Sequence, residues 1–388
     1  MDINKVLSDR VKTIKPSGIR KFFDLANQME DVVSLGVGEP DFDTPWHIRD
    51  AAIYSIESGK TTYTENPGML ALRKEICKYY KRHFDIRYEP DEVLVTVGGS
   101  EAIDLAFRSL VNPGDEVIIP TPSYVAYEPG VILSGGVVKL LPLTSENQFK
   151  ITKEALAACI SEKTKAIMLN YPSNPTGGTM SKEDYERIVP LIKEHGIMVI
   201  SDEIYGDLQY EGKHYSLAHF EEIKDQVLVV NGCSKAYSMT GWRIGYLMGN
   251  KALIKMINKI HQYVIMCAPI TAQYAAIEAF RHGDPQVEEM RLAYLARRNF
   301  VVKAFNEMGL PTHTPKGAFY VFPDIRPTRL TSEEFCEQLL NDQKVACVPG
   351  TAFGDAGEGF IRVSYAYSID ELKIATERIK VFLQHCKK

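Results

Sequence analysis

The sequence predicts an α/β fold with a mostly parallel sheet that is covered by helices on both faces. Two observations support this prediction: Val- and Ile-rich runs recur through the middle of the chain, and stretches with helical periodicity separate them. Strands that are apolar along their whole length are typical of a parallel sheet buried on both sides. With 388 residues, the chain is long enough for one large domain and a smaller companion.

Six apolar runs are the predicted strands, in chain order. They are EVLVTVGG (92–99), DEVIIPTPSY (115–124), TKAIMLNYPSNPTG (164–177), HGIMVISDEIY (195–205), QVLVVNG (226–232) and RIGYLMGN (243–250). The stretch SEAIDLAFRSLV (100–111) predicts a helix with one shared face, formed by Ala102, Leu105, Ala106, Ser109 and Leu110. A second helix is expected to begin with the capping pattern of Ser181 and Asp184 and to end at Gly196.

The pattern changes after about Arg281. A long helical stretch, DPQVEEMRLAYLARRNFVVKAFNEMG (284–309), is followed by the short strand candidates GAFYVFPDI, VACVPG and FIRVSYA. We expect an N-terminal arm and part of the small domain in residues 1–45, the large domain in 46–281, and the small C-terminal domain in 282–388.

Composition excludes several classes of partner. The formal net charge of -5, from 45 basic and 50 acidic residues, gives no electrostatic basis for binding nucleic acid or an anionic membrane. No run of 18 apolar residues occurs, and the N-terminal stretch lacks the apolar core of a signal peptide. The seven cysteines are scattered without metal-ligand spacing, so we expect reduced thiols, a cytoplasmic location and no metal site.

Polar or conformationally special residues follow the first three predicted strands. Gly99, Ser100 and Glu101 open a helix directly after a strand, which suits a phosphate cradle, although such turns also begin ordinary helices. Tyr124 could stack on a planar ligand or simply lie in the core. Asn174, held between prolines, could present its amide to a ligand or belong to a plain turn.

The later strands add chemistry that narrows the choice of ligand. Asp202 ends a buried strand, where a carboxylate is costly unless it meets a cation or hydrogen-bond donors, and Tyr205 follows it. Ser234 and Arg243 together suit a phosphate, and Lys235 lies between them. A lysine that forms a Schiff base and a carboxylate that faces a ring nitrogen fit one ligand, pyridoxal 5′-phosphate.

Several motifs then add a family resemblance that covers nearly the whole chain. They are LGVGEPDFDTP, YTENPGMLALR, NYPSNPTGG, SDEIY, SKAYSMTGWRIGY and FIRVSYA. With them the chain resembles the class I, fold-type I, pyridoxal-phosphate-dependent aminotransferases, the family of aspartate and aromatic aminotransferases. The resemblance implies a large domain with a mostly parallel seven-stranded sheet flanked by helices, and a smaller α+β domain built from both chain termini.

The resemblance also implies a role for each matching residue on the cofactor. Lys235 would form the Schiff base and move protons, Asp202 would face the ring nitrogen, and Tyr205 with Asn174 would reach the 3-oxygen of the ring. The remaining cofactor contacts it implies are stacking by Tyr124, phosphate contacts from Ser234, Arg243 and the backbone of Gly99, Ser100 and Glu101, and a phosphate contact from Tyr63 across a homodimer interface.

On the substrate side, the resemblance implies that Arg362 clamps the α-carboxylate, assisted by Asn174 and the backbone near Gly38. Taken without it, an arginine inside a strand-like run is better read as an edge-strand salt bridge. The expected reaction moves the amino group of aspartate, an aromatic amino acid or a related one to a 2-oxo acid such as 2-oxoglutarate, with ping-pong kinetics.

Two other functions remain open from the sequence. A β- or γ-eliminating lyase would share the fold and nearly all of these residues. A regulator with an aminotransferase-like domain would have no activity, but such proteins usually carry a fused DNA-binding segment, and the first 25 or so residues are too short for one. Substrate choice is open too: the N-terminal arm offers cations for a second carboxylate and apolar side chains for an aromatic one. They are Lys12, Lys15, Arg20 and Lys21, and Ile19, Phe22 and Phe23.

Overall fold

A computed structural model of the chain describes residues 1–15, 18 and 29–386. The strands in this part of the chain are β1 (Val33–Ser34), β2 (Val93–Thr96), β3 (Glu116–Thr121), β4 (Val137–Pro142), β5 (Thr164–Asn170), β6 (Met198–Asp202), β7 (Val227–Gly232), β8 (Gly245–Met248), β9 (Tyr320–Val321), β10 (Val345–Ala346), β11 (Val348–Pro349) and β12 (Ile361–Ser364).

The α-helices in the same part of the chain alternate with these strands. They are Asp9–Thr13, Trp46–Glu57, Leu70–Phe84, Gly98–Leu110, Tyr127–Leu133, Lys153–Cys159, Lys182–Glu194, Lys251–Val264, Ile270–His282, Asp284–Glu307, Ser332–Gln343 and Ile369–His385.

The main sheet has seven strands in the order β2-β8-β7-β6-β5-β3-β4. The pairs from β7 through β6, β5 and β3 to β4 are all parallel, and only β8 runs antiparallel to its two neighbours. This confirms the predicted mostly parallel α/β sheet. Six of the seven strands correspond to the predicted apolar runs, whereas β4 lies in a stretch that we did not select as a strand.

Burial on both faces explains why the central strands are apolar over most of their length. In β5, Ile167 and Leu169 pack in one hydrophobic cluster, whereas Ala166 and Met168 pack in another. Successive side chains of a strand point to opposite faces, so the two clusters lie on the two sides of the sheet. Helices cover both, which leaves the carboxyl ends of the parallel strands as the accessible edge.

The helix Gly98–Leu110 buries most of the face that its periodicity predicts. Ala102, Leu105, Ala106 and Leu110 are all buried. Ser109 belongs to the same helix but is exposed, and its Oγ donates to the backbone oxygen of Leu105 at 2.5 Å. A hydroxyl satisfied by its own helix has no reason to enter the core.

The helix Lys182–Glu194 has the capping box that the sequence predicts. The Oγ of Ser181 accepts from the backbone N–H of Asp184 at 3.2 Å, and the Asp184 carboxylate accepts from the backbone N–H of Ser181 at 2.9 Å. Gly196 lies just beyond the helix with a φ of +61°. A left-handed backbone at this position is typical of a helix end and favours glycine.

A second core gathers the end of the chain. Here β9, β12 and β11 form an antiparallel sheet, β1 pairs with β10, and the helices that begin at Asp284, Ser332 and Ile369 supply apolar side chains. Leu35, from the N-terminal residues 1–45, packs in this core, and so does Tyr205, from the predicted large domain 46–281. The shared core supports the division into 1–45, 46–281 and 282–388, which stays a proposal.

The described residues lack membrane-spanning helices, metal-binding clusters and disulfides. None of their helices is both long and apolar enough to cross a membrane. They contain no group of three or more His, Cys, Asp or Glu side chains that could hold a metal ion. All seven cysteines of the sequence are described, and each is a free thiol.

Candidate active site

A cavity of about 340 Å³ lies beside the carboxyl ends of β5, β6 and β7. Eleven of the residues predicted for the site line it: Gly38, Gly99, Ser100, Tyr124, Asn174, Asp202, Tyr205, Ser234, Lys235, Arg243 and Arg362. They come together because parallel strands place their carboxyl ends at one edge of the sheet. Glu101 and Tyr63 are not among the lining residues.

Lys235 lies three residues beyond β7, in the short segment that crosses the edge of the sheet. Its Nζ donates to the backbone oxygen of Gly38 at 2.6 Å and lies 5.9 Å from the centre of the Tyr205 ring. Burial lowers the pKa of Lys235 to about 8; nearby Arg362 and Arg243 lower it too, and Glu39 acts in the opposite direction. An amine with this pKa is partly neutral near pH 7.5, as a nucleophile and base must be.

Asp202 is the last residue of β6 and is buried. Its two carboxylate oxygens accept from the hydroxyl of Tyr127 at 2.7 Å and from the backbone N–H of Ile204 at 3.1 Å. Burial raises the pKa of Asp202 to about 6, although both hydrogen bonds oppose the shift. Among the described residues no cation is paired with this carboxylate. A protonated ring nitrogen in the cavity would therefore be stabilised by it.

The turn between β2 and the helix Gly98–Leu110 forms one wall. Gly98 has a φ of +74°, and a side chain there would lie 2.5 Å from the Arg243 guanidinium. A side chain at Gly245 would lie 2.6 Å from the carbonyl carbon of Gly98. Glycine at both positions lets the helix N-terminus lie close to Arg243, and Ser234 lines the same cavity, so N–H groups, a guanidinium and a hydroxyl are available together. This set suits a phosphate.

Glu101 and Tyr63 are placed differently from the other predicted residues. The Glu101 carboxylate turns away from the cavity: it accepts from the backbone N–H of Val97 at 2.5 Å and lies 2.7 Å from Nδ1 of His261. Only its backbone is left for a phosphate. Tyr63 is 79% exposed. Their predicted contacts with the cofactor stay predictions.

Arg362, in β12, is buried on the opposite wall. Its guanidinium donates to Oδ1 of Asn174 at 3.0 Å and to the backbone oxygen of Gly36. It lies between the rings of Tyr320 and Phe353, 4.6 Å and 4.8 Å from their centres. No carboxylate pairs with it among the described residues, and its Nε has no hydrogen-bond partner there. A buried, unpaired guanidinium is a strong site for a substrate carboxylate.

Sequence reasoning missed seven residues that line the cavity: Val37, Ile103, Tyr127, Asn170, Ile204, Thr240 and Tyr320. Two of them had a local signal. Asn170 ends β5 and bonds to the backbone oxygen of Asp202 at 3.0 Å, and Tyr127 follows Tyr124 by three residues. Tyr320 lies almost two hundred residues from Tyr124, and folding alone brings it to the cavity.

The N-terminal candidates for substrate choice divide into two groups. Arg20, Lys21, Ile19, Phe22 and Phe23 lie outside the described residues. Lys12 and Lys15 are described, and neither lines the cavity; Lys12 pairs with Asp9 at 2.9 Å.

Comparison with known proteins identifies the family of the chain. The family model for aminotransferase class I and II matches residues 30–379. The chain belongs to this family. The aspartate aminotransferase of Pyrococcus abyssi is 44% identical over 98% of this chain and 99% of that protein. Bacillus subtilis YugH is 50% identical over 97% of this chain and 98% of its own length. The structure of the aromatic aminotransferase from Pyrococcus horikoshii OT3, 41% identical, matches with a TM-score of 0.91 and covers 95% of this chain and 99% of that one.

The chain is therefore an aminotransferase that acts on amino and 2-oxo acids, and its cofactor is pyridoxal 5′-phosphate. The polar groups in the cavity fit this cofactor: a buried amine, a buried carboxylate that has no cation paired with it among the described residues, and a helix N-terminus beside a guanidinium. When bound, the cofactor supplies an aldehyde that joins amino groups covalently and a ring that draws electrons from the bonds of the substrate.

Proposed function

We propose that this aminotransferase moves the α-amino group of aspartate, an aromatic amino acid or a related one to a 2-oxo acid such as 2-oxoglutarate, with ping-pong kinetics. One observation carries the proposal: the buried amine of Lys235 shares a cavity of about 340 Å³ with the buried guanidinium of Arg362. The first group can handle an amino nitrogen and the second a carboxylate, so the cavity can orient both ends of an α-amino acid. Aspartate and aromatic aminotransferases among the similar proteins support this substrate range.

In this proposal, Lys235 both holds the cofactor and moves the α-proton of the substrate. The pKa of about 8 supports both tasks, because the amine loses its proton easily near neutral pH. Asp202 keeps the ring nitrogen protonated, and Tyr205 donates to the 3-oxygen of the ring. Gly99, Ser100, Ser234 and Arg243 hold the phosphate, and Tyr124 stacks on the ring.

Arg362 binds the α-carboxylate of the substrate in this proposal, with Asn174 and the backbone near Gly38 as its neighbours. Among the described lining residues, Arg362 is the cation that has no assigned task on the cofactor. We propose a broad choice of amino donor, with glutamate and 2-oxoglutarate as one substrate pair. A panel of amino acids assayed against 2-oxoglutarate ranks the donors directly.

The decisive variant is Lys235→Ala. We expect it to bind the cofactor without the visible absorption of a lysine-linked aldehyde, and to lose transamination by at least about a thousandfold, because both the covalent link and the base are removed. Lys251→Ala is the matched control, since Lys251 is exposed and pairs with Asp91 outside the cavity. Wild-type turnover in Lys235→Ala would overturn the mechanism.

A lyase on the same fold predicts a different product balance. An aminotransferase forms a 2-oxo acid from the amino donor only as long as an oxo-acid acceptor regenerates the cofactor, whereas a lyase needs no acceptor. Measuring the 2-oxo acid formed with and without added 2-oxoglutarate separates the two, and sustained formation without an acceptor would favour the lyase.

We also propose a homodimer. The helix Trp46–Glu57 exposes Trp46, Tyr54 and Ile56, which are 62%, 69% and 56% exposed. Tyr63 and Tyr263 are exposed as well, at 79% and 86%. Exposed aromatic and aliphatic side chains in such numbers are typical of a surface that a second protein covers. Sedimentation should give twice the 43.6 kDa of one chain.

A cytoplasmic location is proposed with it. Seven unpaired thiols support this location, because cysteines stay reduced in the cytoplasm. Fractionation of the source cells, with a cytoplasmic marker enzyme as the reference, tests it.

A further inference from the structure

Tyr320, in β9, touches both functional halves of the cavity, although no role has been assigned to it above. It is fully buried and lines the cavity. Its hydroxyl lies 2.9 Å from the hydroxyl of Tyr205, on the cofactor side. Its ring lies 4.6 Å from the guanidinium carbon of Arg362, on the substrate side. One side chain thus contacts the residue proposed for the 3-oxygen and the residue proposed for the carboxylate.

The hydrogen bond between the hydroxyls of Tyr205 and Tyr320 limits which of the two can donate to the cofactor. Each phenol carries one proton, and either tyrosine could be the donor in the bond between them. If Tyr205 gives its proton to the anionic 3-oxygen of the cofactor, Tyr205 can only accept from Tyr320. A bond accepted from Tyr320 also makes Tyr205 the stronger donor, because hydrogen bonds in a chain polarise one another.

The aromatic ring of Tyr320 restricts the orientation of the Arg362 guanidinium. Arg362 lies between the faces of Tyr320 and Phe353, and only two of its nitrogens have protein acceptors. Its remaining nitrogen is buried without a partner among the described residues. The two aromatic faces therefore hold the plane of the guanidinium while its edge stays free for a carboxylate.

We propose that Tyr320 is a positioning residue with two separable parts: its hydroxyl directs the proton of Tyr205 to the cofactor, and its ring holds Arg362 in the plane that receives the substrate carboxylate. This inference rests on the proposed function of the cavity. Charged and titratable groups that face Tyr205 are Asp202, Arg362 and Tyr320 itself, with Lys235 against its ring.

Tyr320→Phe removes the hydroxyl and keeps the ring. Tyr205 then donates less strongly, so more negative charge stays on the 3-oxygen and holds the proton at the Lys235 nitrogen more tightly. We expect the pH midpoint of the visible absorption of the bound cofactor to rise by about half a unit or more. The affinity of the holoprotein for 3-phenylpropionate, a carboxylate that cannot react, should stay within about twofold because the ring remains.

Tyr320→Leu removes the ring as well. The affinity for 3-phenylpropionate, measured by calorimetry on the holoprotein, should fall about tenfold below that of Tyr320→Phe, because Arg362 loses one aromatic face. Tyr365→Phe is the matched control: Tyr365 is equally buried in the same core, bonds to the backbone oxygen of Ala318 at 3.0 Å and does not line the cavity. It should change neither the midpoint nor the affinity.

The possible outcomes separate the inference from the function on which it rests. A wild-type holoprotein with no lysine-linked absorption would overturn the proposed function. If that absorption is normal, an unchanged midpoint in Tyr320→Phe refutes the role of the hydroxyl, and equal affinities in the Phe and Leu variants refute the role of the ring. A shift of the same size in Tyr365→Phe would make the effect one of core packing and would also refute the inference.

Discussion

The buried carboxyl group of Asp202 stabilises the folded apoprotein when it is protonated, whereas its proposed role beside the ring nitrogen of the cofactor requires the ionised form. Burial raises its pKa from 3.8 to about 6, so the folded apoprotein binds this proton more tightly than the unfolded chain does. The stabilisation is complete below pH 4 and is lost as the pH rises through 6. The shift of about two units corresponds to roughly 3 kcal/mol.

Asp202→Asn cannot lose a proton at this position. We therefore expect the free energy of unfolding of the Asp202→Asn apoprotein to gain about 3 kcal/mol relative to wild type between pH 4 and pH 7.5, measured by urea denaturation. Asp91→Asn is the control: the hydrogen bond and ion pair with Lys251 lower the pKa of Asp91 below 3.8, so its stabilisation is lost only as the pH falls below about 4, and its difference from wild type should change little between pH 4 and pH 7.5. A difference between Asp202→Asn and wild type that does not change with pH would contradict the prediction.

At the scale of elements, the approach of β8 to the helix Gly98–Leu110 fixes the phosphate turn. A methyl group at Gly245 would lie 2.6 Å from the carbonyl carbon of Gly98, a distance that only a backbone shift can relieve. Gly245→Ala should lower cofactor affinity at least about tenfold and destabilise the protein by about 1–3 kcal/mol, the usual effect of overpacking. Fluorescence titration of the apoprotein with pyridoxal 5′-phosphate measures the affinity.

Gly241→Ala is the matched control for this variant. Gly241 lies four residues away in the same segment, and a methyl group there would meet no atom within 4 Å. It should leave affinity and stability near the wild-type values. An equal loss in both variants would mean that the segment, rather than its contact with Gly98, sets the affinity.

Elements were predictable from the sequence where their signal is local. The strands β5, β6 and β7 are each built around a continuous apolar run, and the capping box at Ser181 is a four-residue pattern. The strand β4 was missed because it lies at the edge of the sheet, where Leu141 is its one buried residue. The antiparallel direction of β8 depends on its pairing with the preceding strand β7 and with the distant strand β2, which periodicity does not encode.

The residues of the site were likewise predictable only where the sequence carries a local signal. Residues at or shortly after the carboxyl ends of parallel strands, such as Asp202 and Asn174, were predictable because the topology of the sheet brings strand ends together. Arg362 needed the family resemblance, since an arginine inside a strand has an ordinary alternative in an edge salt bridge. Tyr320 lies within β9, a strand of the small sheet, and not at the carboxyl end of a strand of the main sheet. Only the tertiary packing of β9 places its hydroxyl beside that of Tyr205, so no local pattern predicted it.

For the whole molecule, Tyr63 raises the question of how many chains complete one site. It is 79% exposed and does not line the cavity of its own chain. Two hydrogen bonds tie its loop to the segment around Met266: Asn66 donates to the Met266 backbone oxygen at 2.8 Å, and Gln273 donates to the Thr64 hydroxyl at 3.0 Å. An ordered but exposed tyrosine in an apolar surface suits a contact with a second copy.

If Tyr63 acts across a homodimer, two defective chains should restore one another. Lys235→Ala and Tyr63→Ala chains, co-expressed with different tags and purified as the hybrid, contain one site with both defects and one site with neither. We expect the hybrid to recover about half of wild-type turnover and to bind one cofactor per dimer with wild-type affinity, because a two-fold interface is built from the same surface of both chains. The Lys235→Ala homodimer and the Tyr63→Ala homodimer, assayed separately, are the controls. If Tyr63 instead serves the cavity of its own chain, both sites of the hybrid stay defective, and turnover no higher than that of Tyr63→Ala would refute the contribution across the interface.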